Sequence, residues 1–191
     1  MGIIEQIDLL ARHRITVDQF YRMAEAGVLA PDARVELIEG EVIDMAPMNS
    51  RHAAAVRVLN QRLLVAVGER ALVSCQLPLR LSERSEPEPD LMLTQHQVGS
   101  YRDRHPGAAD VMLLIEVSDS SLRYDRGIKL PLYARHGVPE VWIVDLENNL
   151  VRFYRRPAGD AYADITATET PSLTAVAGLA DVWIDLTGLL A

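Results

Sequence analysis

The chain has 191 residues, 49% hydrophobic and 24% charged, with a formal net charge of −8 at neutral pH. That length suits a single domain over residues 1–191 with a core of ordinary size, and the balance excludes a disordered or low-complexity chain. The negative charge argues against a broad basic face for duplex nucleic acid, which is gripped through Lys and Arg contacts to phosphate, but it leaves room for acids whose charge a bound cation offsets locally.

The chain starts Met1-Gly-Ile-Ile-Glu-Gln, without a basic leader, and no apolar run reaches the roughly 18 residues of a membrane span. The expectation is a soluble, cytoplasmic protein with no membrane contact. Thr16 opens TVDQFYRMAEAG, whose apolar spacing and closing glycine predict a short amphipathic helix. ARVELIEGEVIDM sets Glu39-Gly40 between two alternating runs and predicts a hairpin. Pro47 and Ser50 then lead into RHAAAVRVLNQRLLVAVGER, the longest helix expected, with Gly68 near its end.

ALVSCQLPLRL, residues 71 to 81, reads as extended, and Pro78 points to an edge or a bulge. It contains Cys75, the single cysteine, which rules out an internal disulfide, fits a reducing compartment and reads as core rather than nucleophile. Glu86-Pro-Glu-Pro-Asp90 makes a turn into a short strand at Leu91, and residues 95 to 109 form an exposed loop. VMLLIEV, residues 111 to 117, is a continuous apolar run of the kind covered on both faces of a sheet. Ser120 and Ser121 can cap a helix running to Gly137, kinked or delayed by Pro131, whose missing N–H leaves the carbonyl of residue 127 without its helical partner. EVWIVD is a further buried strand, Asn148-Asn149 turns into LVRFYRR, and one or two short strands follow around Tyr162 and Val182. Alternating strands and helices give a mixed α/β chain with a central sheet flanked by helices.

Two features of this pattern carry chemistry. Of 19 basic residues, 18 are arginine and only Lys129 is lysine. Arginine is a wide fork that stays protonated, whereas lysine is a compact ammonium whose pKa can be moved, so a lone lysine either marks a position where arginine would fail or survives by chance under a compositional bias toward arginine. Glu116 interrupts the most apolar strand, where an unpaired carboxylate costs several kcal/mol or becomes neutral, so it needs a partner. Asp90, at the start of a neighbouring strand, is the natural companion, because two carboxylates converging at strand ends make an oxygen site for Mg²⁺ or Mn²⁺. A helix returning across the sheet carries residue 129 roughly 12 Å along its axis, back to the level of Glu116. Against this stands a surface ion pair between Asp125 and Lys129, four apart on one helix face.

Asp90, Glu116-Val117 and a downstream lysine resemble the PD-(D/E)XK nuclease superfamily. VELIEGEVIDMAP, His52, SEPEPDLMLT and LLIEVSDSSLRYDRGIKLPLYARHGVPEVWIVD are similar, more closely, to the Uma2 family of restriction-endonuclease-like proteins, over nearly the whole chain. The resemblance implies a restriction-endonuclease-like core, a central mixed β-sheet flanked by helices, with an N-terminal helix and β-hairpin. It also implies metal-dependent hydrolysis of nucleic-acid phosphodiesters, DNA first. Asp90 and Glu116 would hold Mg²⁺ or Mn²⁺ with the backbone carbonyl of Val117, and Lys129 would assist the attacking water. Ser118 stands where the superfamily pattern puts lysine, so that role must move to Lys129 on the following helix.

Four further assignments have two readings each. Glu36 either enters the site from the hairpin or is a strand-face carboxylate. Gln76 either hydrogen bonds a water of the site or is structural, and His52 is either an acid or phosphate partner or a helix-start residue. The arginines of residues 51–62 and 152–156 either grip phosphate or are solvated charge, the second being the ordinary state of any one of them. Glu88 and Asp119 flank the motifs outside the site. Two rival functions remain open: a non-catalytic binding or assembly module on the same fold, with a stable partner or homodimer, and a hydrolase of another phosphate ester.

Overall fold

The structure, a computed structural model, describes residues 12–97 and 99–190. These residues gather into two compact units, one formed by the chain up to Met45 with Ser82–Glu86, the other by Ala46–Leu81 with the chain from Pro87 onward. In the first, helix α1 spans Val17–Glu25 behind a capping box: the Thr16 side chain accepts from the Gln19 N–H at 3.2 Å, and the Gln19 side chain accepts from the Thr16 N–H at 2.7 Å. Strands β1 (Val35–Ile38) and β2 (Glu41–Asp44) pair antiparallel, with Ile38 opposite Glu41. Glu39 and Gly40 both turn with positive φ, 49° and 82°, the primed geometry that matches strand twist. A Cβ at Gly40 would lie 2.6 Å from that of Arg14, so glycine is required there twice over.

The second unit is built on a six-stranded mixed sheet in the order β3-β4-β5-β6-β7-β8. Its strands are β3 (Ala71–Cys75), β4 (Leu91–Gln95), β5 (Val111–Ser118), β6 (Glu140–Asp145), β7 (Leu150–Ala158) and β8 (Ala161–Thr168). Every neighbouring pair is antiparallel except β5 and β6, which are parallel and therefore need a crossover between them. That crossover holds α3, residues 122–135, in which a π-helical turn, Asp125–Lys129, separates Leu122–Tyr124 from Leu130–Arg135. Helix α2 (Ser50–Val67) has an Asn49 cap whose side chain accepts from the His52 N–H, and it ends at Gly68. Two short strands, β9 (Leu173–Ala175) and β10 (Trp183–Asp185), pair with each other near the end of the chain.

Strand alternation divides the core of this unit into two faces. Ala55, Leu59 and Leu63 of α2 pack with Leu113, Ile115 and Val117 of β5 and Trp142 and Val144 of β6. Tyr133 and Ala134 of α3 pack with Leu114 of β5 and with Val141 and Ile143 of β6, on the other face. Among the described residues no helix is long and apolar enough to cross a membrane.

Three expectations need correction. The tail holds a longer strand than its sequence suggests: β8 has eight residues and joins the main sheet, because pairing along β7, not its own mostly exposed side chains, fixes its length. Cys75, expected in the core, lies exposed at the end of β3, the edge strand. Pro131 does open the regular α-helical segment Leu130–Arg135, as a late start, but the chain ahead of it is already wound, as a π-helical turn. It sits in the first turn after the π-helical segment, where the Leu130 N–H reaches back five residues to the Asp125 carbonyl and the widened turn absorbs the missing donor.

Candidate active site

Glu116 belongs to the even-numbered side chains of β5, so alternation turns it toward α3 and not toward the α2 core. It is 3% exposed. Its Oε1 accepts a 2.6 Å hydrogen bond from the Tyr133 hydroxyl and lies 2.9 Å from the Lys129 ammonium. Burial pushes its pKa up to about 8, against the attraction of Lys129, with repulsion from Asp125 and Asp90 adding to the rise. This is the partner the apolar strand demanded: one ammonium and one phenol, from residues four apart on α3.

The local reason is the π-helical turn. Its wider loop places Asp125 and Lys129 inward together, and both are buried. A surface ion pair between them is therefore ruled out. Asp125 Oδ2 accepts from Ser118 Oγ at 2.7 Å and from Ser121 Oγ at 2.5 Å, so Ser121 spends its hydroxyl on this acid and makes no side-chain cap to the helix. Burial raises the Asp125 pKa, opposed by Lys129 and by the two serines. Ser118, at the position where the superfamily pattern has lysine, supports the acid that faces the displaced lysine.

Asp90 reaches the same place from the head of β4. Prolines 87 and 89 hold the approach extended, and Asp90 Oδ2 accepts from the Val117 N–H at 2.9 Å. The Asp90 N–H points at Glu116 Oε2, 3.4 Å away. His52 Nε2 lies 3.0 Å from Asp90 Oδ2, and Gln76 Nε2 donates to Oδ1 at 3.1 Å. Burial pushes the Asp90 pKa up, but the His52 hydrogen bond and charge, with the Val117 and Gln76 bonds, outweigh it and the net shift is downward. The His52 pKa is raised, mainly by its hydrogen bond to Asp90 and against its own burial. Two neighbouring carboxyls are thus pushed apart, Asp90 toward the ionised form and Glu116 toward the protonated one.

The structure therefore brings Asp90, Glu116, Lys129, His52 and Gln76 together. Gln76 holds Asp90 through backbone as well as side chain, its N–H donating to the Asp90 carbonyl at 3.1 Å from a left-handed backbone with φ of 50°. Glu36 stands on β1 of the other unit, buried and opposite Ile43. Asp119 is engaged with Asn49 and Arg51, away from the carboxylate pair. Several candidate phosphate arginines serve the fold: Arg62 donates to the carbonyls of Asp185 and Thr187, Arg152 pairs with buried Asp145 at 2.7 Å, and Arg155 with buried Glu140 at 2.6 Å. Tyr133 is the site residue that sequence reading missed. Its signal was available in the four-residue spacing from Lys129, but an aromatic in an apolar helix reads first as core.

Among the described residues, no three or more His, Cys, Asp or Glu side chains are gathered to hold a metal. The donors that do converge, two carboxylates beside strand backbone, are hard oxygens suited to Mg²⁺ or Mn²⁺. Mg²⁺ in particular retains several waters and is commonly bound through one or two carboxylates. The donor set fits such an ion.

A central mixed sheet flanked by helices, with acids at adjoining strand ends and a lysine on the crossover helix, defines a restriction-endonuclease-like fold. The chain belongs to the Uma2 family, described as "putative restriction endonuclease", whose profile matches residues 17–187. Five chains of solved structures match, among them the crystal structure of "a putative nuclease belonging to DUF820" from Anabaena variabilis ATCC 29413. That match has 17% identity and a TM-score of 0.68, covering 92% of this chain and 97% of that one, and it shows a shared fold. No curated protein matches the chain. Family membership supports a nuclease, a hydrolase of phosphodiester bonds.

Proposed function

We propose that the chain is a divalent-metal-dependent endonuclease acting on DNA. The observation that carries this reading is the convergence of Asp90, Glu116 and Lys129 in one buried cluster, with the ammonium 2.9 Å from the Glu116 carboxylate. Asp90 and Glu116, with the Val117 backbone carbonyl, would hold Mg²⁺ or Mn²⁺, which supplies Lewis acidity toward phosphate and water and favours the ionised form of both acids. The protein's own groups do the rest. Tyr133 and Lys129 fix one Glu116 oxygen, and His52 and Gln76 fix Asp90, so neither carboxylate needs to reorganise when substrate arrives. Lys129 holds a compact positive charge where negative charge develops on a transferring phosphoryl group, and its small head fits where a guanidinium would not.

The test is nicking of supercoiled plasmid with Mg²⁺ or Mn²⁺ by wild type, Asp90→Ala, Glu116→Ala and Lys129→Ala. Cleavage by wild type and its loss in all three is expected; cleavage surviving all three sinks the assignment. Lys129→Arg is expected to be inactive, and full activity would show that only positive charge matters. A non-catalytic binding module is the competing reading, favoured by the sparse acid set among the described residues. It requires that wild type cut no nucleic acid with either metal.

A further inference from the structure

Beside the π-helical turn, α3 and the β7–β8 hairpin enclose an open cleft of about 570 Å³. Its walls are mostly apolar, including Leu122, Leu130 and Ile165, and its floor carries Tyr154, which stands opposite Ile165 in the strand register. Tyr154 is 3% exposed, yet its hydroxyl has no hydrogen-bond partner among the described residues. The neighbouring Tyr162, 6.0 Å away between ring centroids, shows the ordinary arrangement, its hydroxyl donating to the Val138 carbonyl at 2.9 Å. A buried phenol without a partner is uncommon, but less than 1 Å² of this hydroxyl is accessible, so it lies beneath the cleft lining and is not open to an occupant.

The cleft's charge points to an anionic occupant. Arg123 and Arg126, three apart on α3, both line it and are both exposed. Asp160, the one acid among the described residues lining it, is already paired with Arg135 at 2.8 Å. Two guanidiniums on one rim present planar forks suited to a phosphate, while the apolar walls suit a flat ring. The volume falls within the range of small-molecule sites, roughly 300–1,000 Å³.

We propose that this cleft binds a nucleoside monophosphate, with the phosphate on Arg123 and Arg126 and the base against Leu130 and Ile165. The site is separate from the acid cluster and does not depend on the chain cutting nucleic acid. Arg126 and Gly127 belong to the turn that also carries Asp125 and Lys129, so an occupant bears directly on the element that positions the lysine.

The test is calorimetric titration of the whole chain with AMP, and separately with inorganic phosphate, in the absence of divalent metal. Expected is saturable binding of AMP at one site per chain, with a dissociation constant of about 1 mM or below. Inorganic phosphate should bind at least about tenfold more weakly, since it leaves the apolar walls unused. The Arg123→Ala/Arg126→Ala pair, changed only at exposed positions, should weaken AMP at least about tenfold. Ala161→Trp, which adds bulk from an exposed strand position on the wall, should abolish binding. No saturable AMP binding overturns the proposal, as does binding left unchanged by both the arginine pair and Ala161→Trp. Phosphate binding as tight as AMP overturns the assignment of a nucleoside body.

Discussion

The two faces of the central sheet solve different problems with the same strands. Toward α2, residues 113, 115 and 117 of β5 and 142 and 144 of β6 are apolar and closely packed, and the buried acid Glu140 at the sheet's end is saturated by Trp142, Arg155 and the Ala177 N–H. Toward α3, the intervening positions bring in Glu116 and Ser118, met by Lys129, Asp125 and Tyr133. One face is organised for stability. The other accepts buried charge, which hydrophobic residues of similar volume commonly replace at no loss of stability.

This contrast makes separable predictions. On the α3 face, Lys129→Ala should lower plasmid cleavage by about 10²–10³-fold. It should change the urea midpoint little, because Glu116, already pushed up to about 8, can become neutral. A large drop in stability with cleavage retained would reverse the comparison. On the α2 face, Leu59→Ala should cost about 2–5 kcal/mol by urea denaturation through the cavity it leaves, while the folded fraction cleaves at the wild-type rate.

Asp145 sharpens the comparison further, since it lies on the charged face yet is fully used by the fold. Burial pushes its pKa up, but Arg152 and Asn148 outweigh this and the net shift is downward. A lowered folded pKa adds stability above the unfolded value of 3.8, and that stability is lost as pH falls through the folded pKa. Asp145→Asn should therefore cost about 2 kcal/mol at neutral pH, with the gap to wild type closing below about pH 4 and cleavage unchanged. A gap that stays constant with pH would remove the charge from the explanation. The smallest effect belongs to Tyr133→Phe, expected to cost about 1 kcal/mol in stability and to slow cleavage about tenfold by freeing Glu116. Unchanged cleavage would make the tyrosine purely structural.

The fold was legible where local rules and burial agree. The apolar spacing after Thr16, Glu39-Gly40, and the apolar runs of β5 and β6 each announced their structure, and the acid embedded in β5 announced a partner. The rest depended on geometry that a linear reading does not hold. The π-helical turn has no marker beyond Pro131 after it, and without it Asp125 and Lys129 read as surface neighbours. Cys75 looked like core because its segment is apolar, but an edge strand leaves its last residue in solvent. Arg62, Arg152 and Arg155 looked like free cations because their partners lie far along the chain or across a strand pair. His52 needed the Asn49 cap to set its helix start before its reach to Asp90 could be seen.

A cation site on the charged face of the sheet, as proposed above, can be seen or refuted in a crystal soaked in Mn²⁺. Anomalous scattering should show an ion between the Asp90 and Glu116 carboxylates, lost in Asp90→Ala. A soaked crystal with both side chains ordered, Lys129 still bonded to Glu116 and no anomalous peak there would contradict it.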